Sequence, residues 1–169
     1  PEYPKDIANQ VTIHHLLTHT SGIEIDDYQP FNEDNHKAIS LEAKLKAQVK
    51  HIDSLNNGRR ENFKVLNKYD YSNEEYVLLG VIIERVSGLS YGDYIEQHIF
   101  KPLQMNNSIA NIDKLELRDN KAIGYTYKDA HSNFIGGIRR ENGGARNYLA
   151  PDGGIYSTTR DLYTYFKAI

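Results

Sequence analysis

Cysteine is absent from the 169 residues, which excludes disulfides, thiolate metal sites and a cysteine nucleophile, and leaves the redox compartment open. No run of five basic residues occurs and the formal net charge is -3, so no nucleic-acid partner is expected. No apolar stretch comes near the length of about 18 residues that a membrane-spanning helix needs. The longest runs only from Tyr76 to Ile83 and counts Gly80. The opening residues, PEYPKDIANQ, lack the initiator methionine, basic segment and apolar core of a secretory leader, so the chain is expected to be cut from something larger.

What is present fits a water-soluble globular body: 39% hydrophobic and 25% charged residues, in a length that suits one domain with a real core. The segment VTIHHLLTHTSGI reads as a short helix that Thr12 can cap, with Gly22 available for a left-handed position after it. From Ser40, the residues Leu41, Leu45, Val49, Ile52 and Leu55 recur at helical spacing, with Gly58 beyond the end. In KYDYSNEEYVLLGVIIERVSG, Ser72 and Glu75 match a capping box and Gly88 ends an apolar run that should form the central helix. Ser90 opens a further helix that Pro102 stops, and Thr158 with Asp161 caps the last one. Around AIGYTYKD the period changes to two, so a strand is expected there, followed by a glycine-rich hairpin or loop over residues 128 to 148.

Reactive groups are sparse. A serine nucleophile needs a base or a lysine on the same helical face, and no serine has a lysine three residues on. Ser157 has Arg160 instead, a guanidinium that cannot accept a proton, and G-x-S-x-G is absent. Ser21 lies beside His19, but residues two apart on a helix do not face each other, and a helix terminus is the plainer reading. His15 and His19 have the i, i+4 spacing of two metal ligands, yet Leu16 replaces the glutamate of H-E-x-x-H and no third ligand is evident, so no metal is expected. Tyr71 and Asn73, two apart in an extended lead-in to the long helix, should point the same way beside its positive end. That suits an anionic or carbonyl substrate. A phenol needs about 4 kcal/mol of help from nearby cations to act as a base near neutral pH, more than Lys68 alone supplies, and a core tyrosine beside a cap-region amide is the plainer alternative.

Taken together, VTIHHLLTHTSGI, YDYSNEEYVLLGVIIERVSG, IFKPLQMNNS and PDGGIYSTTRDLYTYF, in this order and spacing, resemble the serine beta-lactamase and penicillin-binding-protein superfamily. The resemblance is to the branch of class C beta-lactamases, D-alanyl-D-alanine carboxypeptidases and related esterases, and runs from about Val11 to Phe166. It implies an active site of three parts: an S-x-x-K helix, a Y-x-N loop and a K-T-G or H-x-G strand. Only the middle part is in this chain, where Tyr71 matches the tyrosine that exchanges protons with the serine and Asn73 the amide that orients the lysine and the substrate carbonyl. The nucleophile belongs upstream of Pro1 and the third motif downstream of Ile169.

The resemblance implies a mainly α chain with a small β hairpin: the helical lobe of a beta-lactamase/transpeptidase-like α+β fold, lacking most of the sheet lobe. Residues 1 to 169 are then one partial domain whose two ends continue into the missing lobe. Its substrate would be a beta-lactam, a D-Ala-D-Ala peptide or an ester, with no cofactor and an extracytoplasmic location, and the chain alone should be inactive. Self-association through exposed apolar helix faces is expected. The alternative is a non-catalytic helical interaction module. Two departures from the family pattern bear on turns: Gln104 stands where P-L-G-M has glycine, and Asn67 and Lys68 stand where Pro-Gly is common.

Overall fold

The structure, a computed structural model, describes residues 5–23, 40–54, 65, 68–110, 120, 122, 125–128, 134–140 and 151–169. The stretch 24–39, the helix stop at Gly58 and most of the glycine-rich segment after residue 140 lie outside the described residues. In chain order the elements are α1 (Lys5–Ala8), α2 (Ile13–Leu17), α3 (Leu41–Ser54), α4 (Asn73–Ser87) and α5 (Tyr91–Ile95). A π-helical turn (Glu96–Phe100), strands β1 (Tyr125–Lys128) and β2 (Phe134–Arg140), and α6 (Thr159–Ala168) follow.

Helix α2 begins with a reciprocal cap: Thr12 accepts the His15 N–H through its side chain at 3.2 Å, and its own N–H donates to His15 Nδ1 at 3.2 Å. The chain then leaves through two left-handed residues, His19 (φ 54°) and Gly22 (φ 77°). Helix α3 turns Leu41 and Leu45 inward and α4 meets them with Val77, Leu78 and Val81, which gives the first core cluster. Helix α4 packs on α2, α3 and α5, as its apolar circumference requires. It stops at Gly88, whose φ of 72° is the left-handed geometry that glycine adopts without strain.

One expectation about α4 fails. Ser72 is the residue before the helix but makes no side-chain cap, so the S-x-x-E box does not form. Glu75 is instead 1% exposed, turned into the protein. The physical reason is competition: a buried histidine and serine from the α2 corner take its two oxygens.

Ser90 caps α5 by accepting the Asp93 N–H at 3.2 Å. The helix then widens, with the Lys101 N–H reaching back five residues to the Glu96 carbonyl at 2.9 Å, just ahead of Pro102. This turn buries Phe100 beside Ile95 and Met105 in a second cluster; Tyr91 packs against both clusters and Tyr165 of α6 against the second. The strands pair antiparallel, Tyr125 opposite Arg140 and Lys128 opposite Phe134, with an irregularity between Thr126 and Lys128. Helix α6 is capped by Thr158, which accepts the Asp161 N–H at 3.2 Å. Asp161 does not reach back to its own cap but holds the 107–108 segment, and an isolated bridge between Ile109 and Tyr156 lies alongside. No helix among the described residues is long and apolar enough to cross a membrane.

Candidate active site

The lead-in to α4 passes through Ser72, whose backbone is extended (φ -145°, ψ 124°), and the Asp70 N–H fixes it to the His19 carbonyl at 2.8 Å. Extended backbone puts residues two apart on one side, and Tyr71 and Asn73 do share a side. The Tyr71 hydroxyl donates to Asn73 Oδ1 at 2.7 Å. Tyr71 is 62% exposed, so its hydroxyl is not sealed inside the body. With its proton directed at Asn73, the phenol oxygen keeps lone pairs to accept a hydrogen bond, while the Asn73 amide nitrogen keeps donors for a substrate oxygen.

Beneath this pair lies a cluster that the sequence reading missed. The His19 imidazole, on a residue 9% exposed, has its centroid 4.7 Å from the Tyr71 ring, 5.1 Å from Tyr76 and 5.6 Å from Tyr69. Its Nδ1 is hydrogen-bonded to Glu75 Oε2 at 2.5 Å, and the Ser72 N–H points at the same nitrogen from 3.3 Å. The other carboxyl oxygen accepts the Ser21 N–H at 3.2 Å and the Ser21 hydroxyl as well. The Ser21 oxygen in turn accepts the Ile23 N–H at 3.0 Å, and the Tyr76 hydroxyl donates to the Leu17 carbonyl at 3.2 Å. His19 and Ser21, read as unable to face each other on a helix, lie past the end of α2 and converge on one carboxyl group.

A signal for Glu75 was present: it precedes Leu78 by three residues and Val81 by six, on the inward stripe of α4, where a carboxyl group must have partners. His15 and His19 do not come together, since one serves the α2 cap and the other pairs with Glu75. Among the described residues no group of three or more His, Asp or Glu side chains is placed to hold a metal ion. Ser157 shares its hydroxyl with Ser108 at 2.8 Å.

This helix-rich body is a beta-lactamase-like fold. The chain belongs to the beta-lactamase family, whose model, described as Beta-lactamase, matches residues 1–168. Penicillin-binding protein 4* of Bacillus subtilis (strain 168) is 37% identical over 171 aligned positions, 94% of this chain and 35% of that protein. The octameric penicillin-binding protein homologue of Pyrococcus abyssi superposes with a TM-score of 0.62 at 30% identity, over 93% of this chain and 34% of that one. A D-amino acid amidase of Ochrobactrum anthropi SV3, complexed with L-phenylalanine amide, gives a TM-score of 0.71 at 24% identity, over 99% and 45% of the two chains. The chain thus spans about a third of the length of the penicillin-binding relative it matches over most of its own length.

Proposed function

We propose that this chain is the helical lobe of a beta-lactamase-like serine hydrolase and supplies the Y-x-N part of its active site. The hydrogen-bonded, solvent-facing Tyr71 and Asn73 pair carries this reading. A serine hydroxyl from chain outside this lobe attacks the acyl carbonyl of a beta-lactam, D-Ala-D-Ala peptide or ester, and Tyr71, ionised beside the positive charge of the S-x-x-K lysine that also lies outside this lobe, takes the serine proton as a phenolate. Tyr71 then delivers a proton to the departing amine or alkoxide, and water hydrolyses the acyl-serine. Asn73 donates from its amide nitrogen to the substrate carbonyl, and its oxygen, released when Tyr71 ionises, orients the lysine. Without the serine the chain alone is inactive, and the whole protein acts outside the cytoplasm.

In the full-length protein, Tyr71→Phe should lower kcat for nitrocefin or a p-nitrophenyl ester by about 100-fold or more. Activity retained by Tyr71→Phe, or turnover by the isolated chain, overturns the proposal. A second reading, a non-catalytic interaction module, draws on the exposed Leu162, Tyr163 and Phe166 of α6. A parent sequence without S-x-x-K upstream would favour it. The same exposed residues support self-association of the isolated chain.

A further inference from the structure

We infer that His19 and Glu75 are positioning residues for Tyr71: a buried platform that fixes the tyrosine from below without touching substrate. The inference rests on the catalytic reading of Tyr71 given above. Three consecutive residues attach to His19. The Asp70 N–H bonds its carbonyl at 2.8 Å, the Tyr71 ring lies 4.7 Å from its imidazole, and the Ser72 N–H is directed at its Nδ1 from 3.3 Å. The tyrosine is thus tied to His19 through its own ring and through both of its backbone neighbours, and its hydroxyl meets Asn73 from that ring.

His19 is itself held in a costly state. Its φ of 54° is a left-handed conformation that a side chain with a Cβ adopts only when its surroundings impose it. What imposes it is Glu75, which binds His19 with one oxygen and the Ser21 N–H and hydroxyl with the other. A carboxyl group 1% exposed on the apolar stripe of a helix is an expensive way to stabilise packing, since an aliphatic side chain would serve the core better. Its retention makes sense if the site needs a corner of one fixed shape. A displacement of about 1 Å in a reacting group can cost about 100-fold in rate.

The test uses the full-length protein and steady-state hydrolysis of nitrocefin or a p-nitrophenyl ester. Glu75→Ala should lower kcat by about 10-fold to 100-fold with KM changed by less than about threefold. Glu75→Gln, whose amide can still bridge His19 and Ser21, should recover most of that loss. Introduced into Tyr71→Phe, Glu75→Ala should cause little further loss, because residues acting through one group are not additive. Should Glu75→Ala fail to fold, His19→Asn carries the same cycle: asparagine tolerates the left-handed backbone and keeps an amide near Nδ1 but removes the ring. Equal losses in both backgrounds, or undiminished kcat in the alanine variant, overturn the inference. If Tyr71→Phe is itself fully active, the catalytic reading fails instead. The platform is then read from the Tyr71 ring resonance in isotope-labelled tyrosine protein, which should shift in His19→Asn; an unmoved resonance overturns it.

Discussion

Asp161 Oδ2 accepts the Ser108 hydroxyl at 2.9 Å, joining residues 53 apart in sequence. The same oxygen accepts the Asn107 N–H at 2.8 Å, and Asp161 is buried. The contact ties α6 to the turn between Met105 and Ala110 of the second core cluster. Asp161→Ala leaves a backbone N–H and a hydroxyl without their acceptor and should cost about 2 to 4 kcal/mol in urea denaturation. Asp161→Asn keeps one accepting oxygen and should cost less. An alanine variant as stable as the parent would show that solvent replaces the carboxyl group at no loss.

Gln104, read from the family pattern as standing in a glycine position, has a φ of 57°. The turn keeps the left-handed geometry that glycine suits, and glutamine bears its cost. A residue with a Cβ loses about 1 kcal/mol or more in this conformation, and the freer unfolded state of glycine gives part of that back. Gln104→Gly should therefore raise stability by about 0.5 kcal/mol, seen as a higher denaturation midpoint with an unchanged slope. A lower midpoint would mean that the glutamine side chain contributes more than its backbone costs.

The helix caps and the Glu75 contact show where the sequence was legible and where it was not. Periodicity located α3 and α4 because Leu41, Leu45, Val77, Leu78 and Val81 bury in the pattern their spacing requires. Thr12, Ser90 and Thr158 do cap helices, since a cap is a local bond within four residues. Ser72-x-x-Glu75 has the same local signature, yet its glutamate pairs with His19, 56 residues away. A short motif carries no information about which distant partner competes for its side chain, so the nearby pair of Tyr71 and Asn73 was readable and the platform under it was not.

Gly80 lies inside α4, where alanine would ordinarily be better by about 1 kcal/mol. A Cβ there would sit 2.0 Å from Pro151 Cγ and 3.0 Å from Leu41 Cδ1. The Pro151 ring is rigid, so backbone must move. Gly80→Ala should be destabilising by about 1 to 3 kcal/mol despite its helix propensity. Gly88→Ala makes a useful contrast: nothing lies within 4 Å of its Cβ position, so any loss there comes from the left-handed backbone alone. Equal losses at the two sites would argue against the close approach at Gly80.

Burial first, and the charge of Asp152 second, raise the Tyr91 hydroxyl above its ordinary pKa of 10.0. The folded chain then holds this proton more tightly than the unfolded chain. Stability from this group is in full below about pH 10 and is lost as pH rises from there toward the folded value. Tyr91→Phe keeps the ring between the two core clusters and removes the titration. Its denaturation midpoint should fall less steeply than the parent's above about pH 10. Parallel alkaline limbs would exclude Tyr91 as a source of the loss.

Leu162 and Phe166 on α6 and Ile169 at its C-cap follow one another at steps of four and three, in one stripe, and are 43%, 68% and 81% exposed. Tyr163, 65% exposed, borders the stripe with its ring 5.7 Å from the Lys167 ammonium. Tyr165, on the other side, is the residue that packs into the second core cluster. The helix thus has an inner face already engaged and an outer apolar face with nothing over it among the described residues. Water-exposed apolar area of this kind drives association at about 25 cal/mol for each Å² removed from water. The isolated chain should sediment above monomer mass in a concentration-dependent way, and Phe166→Lys, which leaves the inner face intact, should shift it toward monomer. If the parent is monomeric at every concentration, the stripe is ordinary surface. If Phe166→Lys associates as strongly as the parent, the contact lies elsewhere on the molecule.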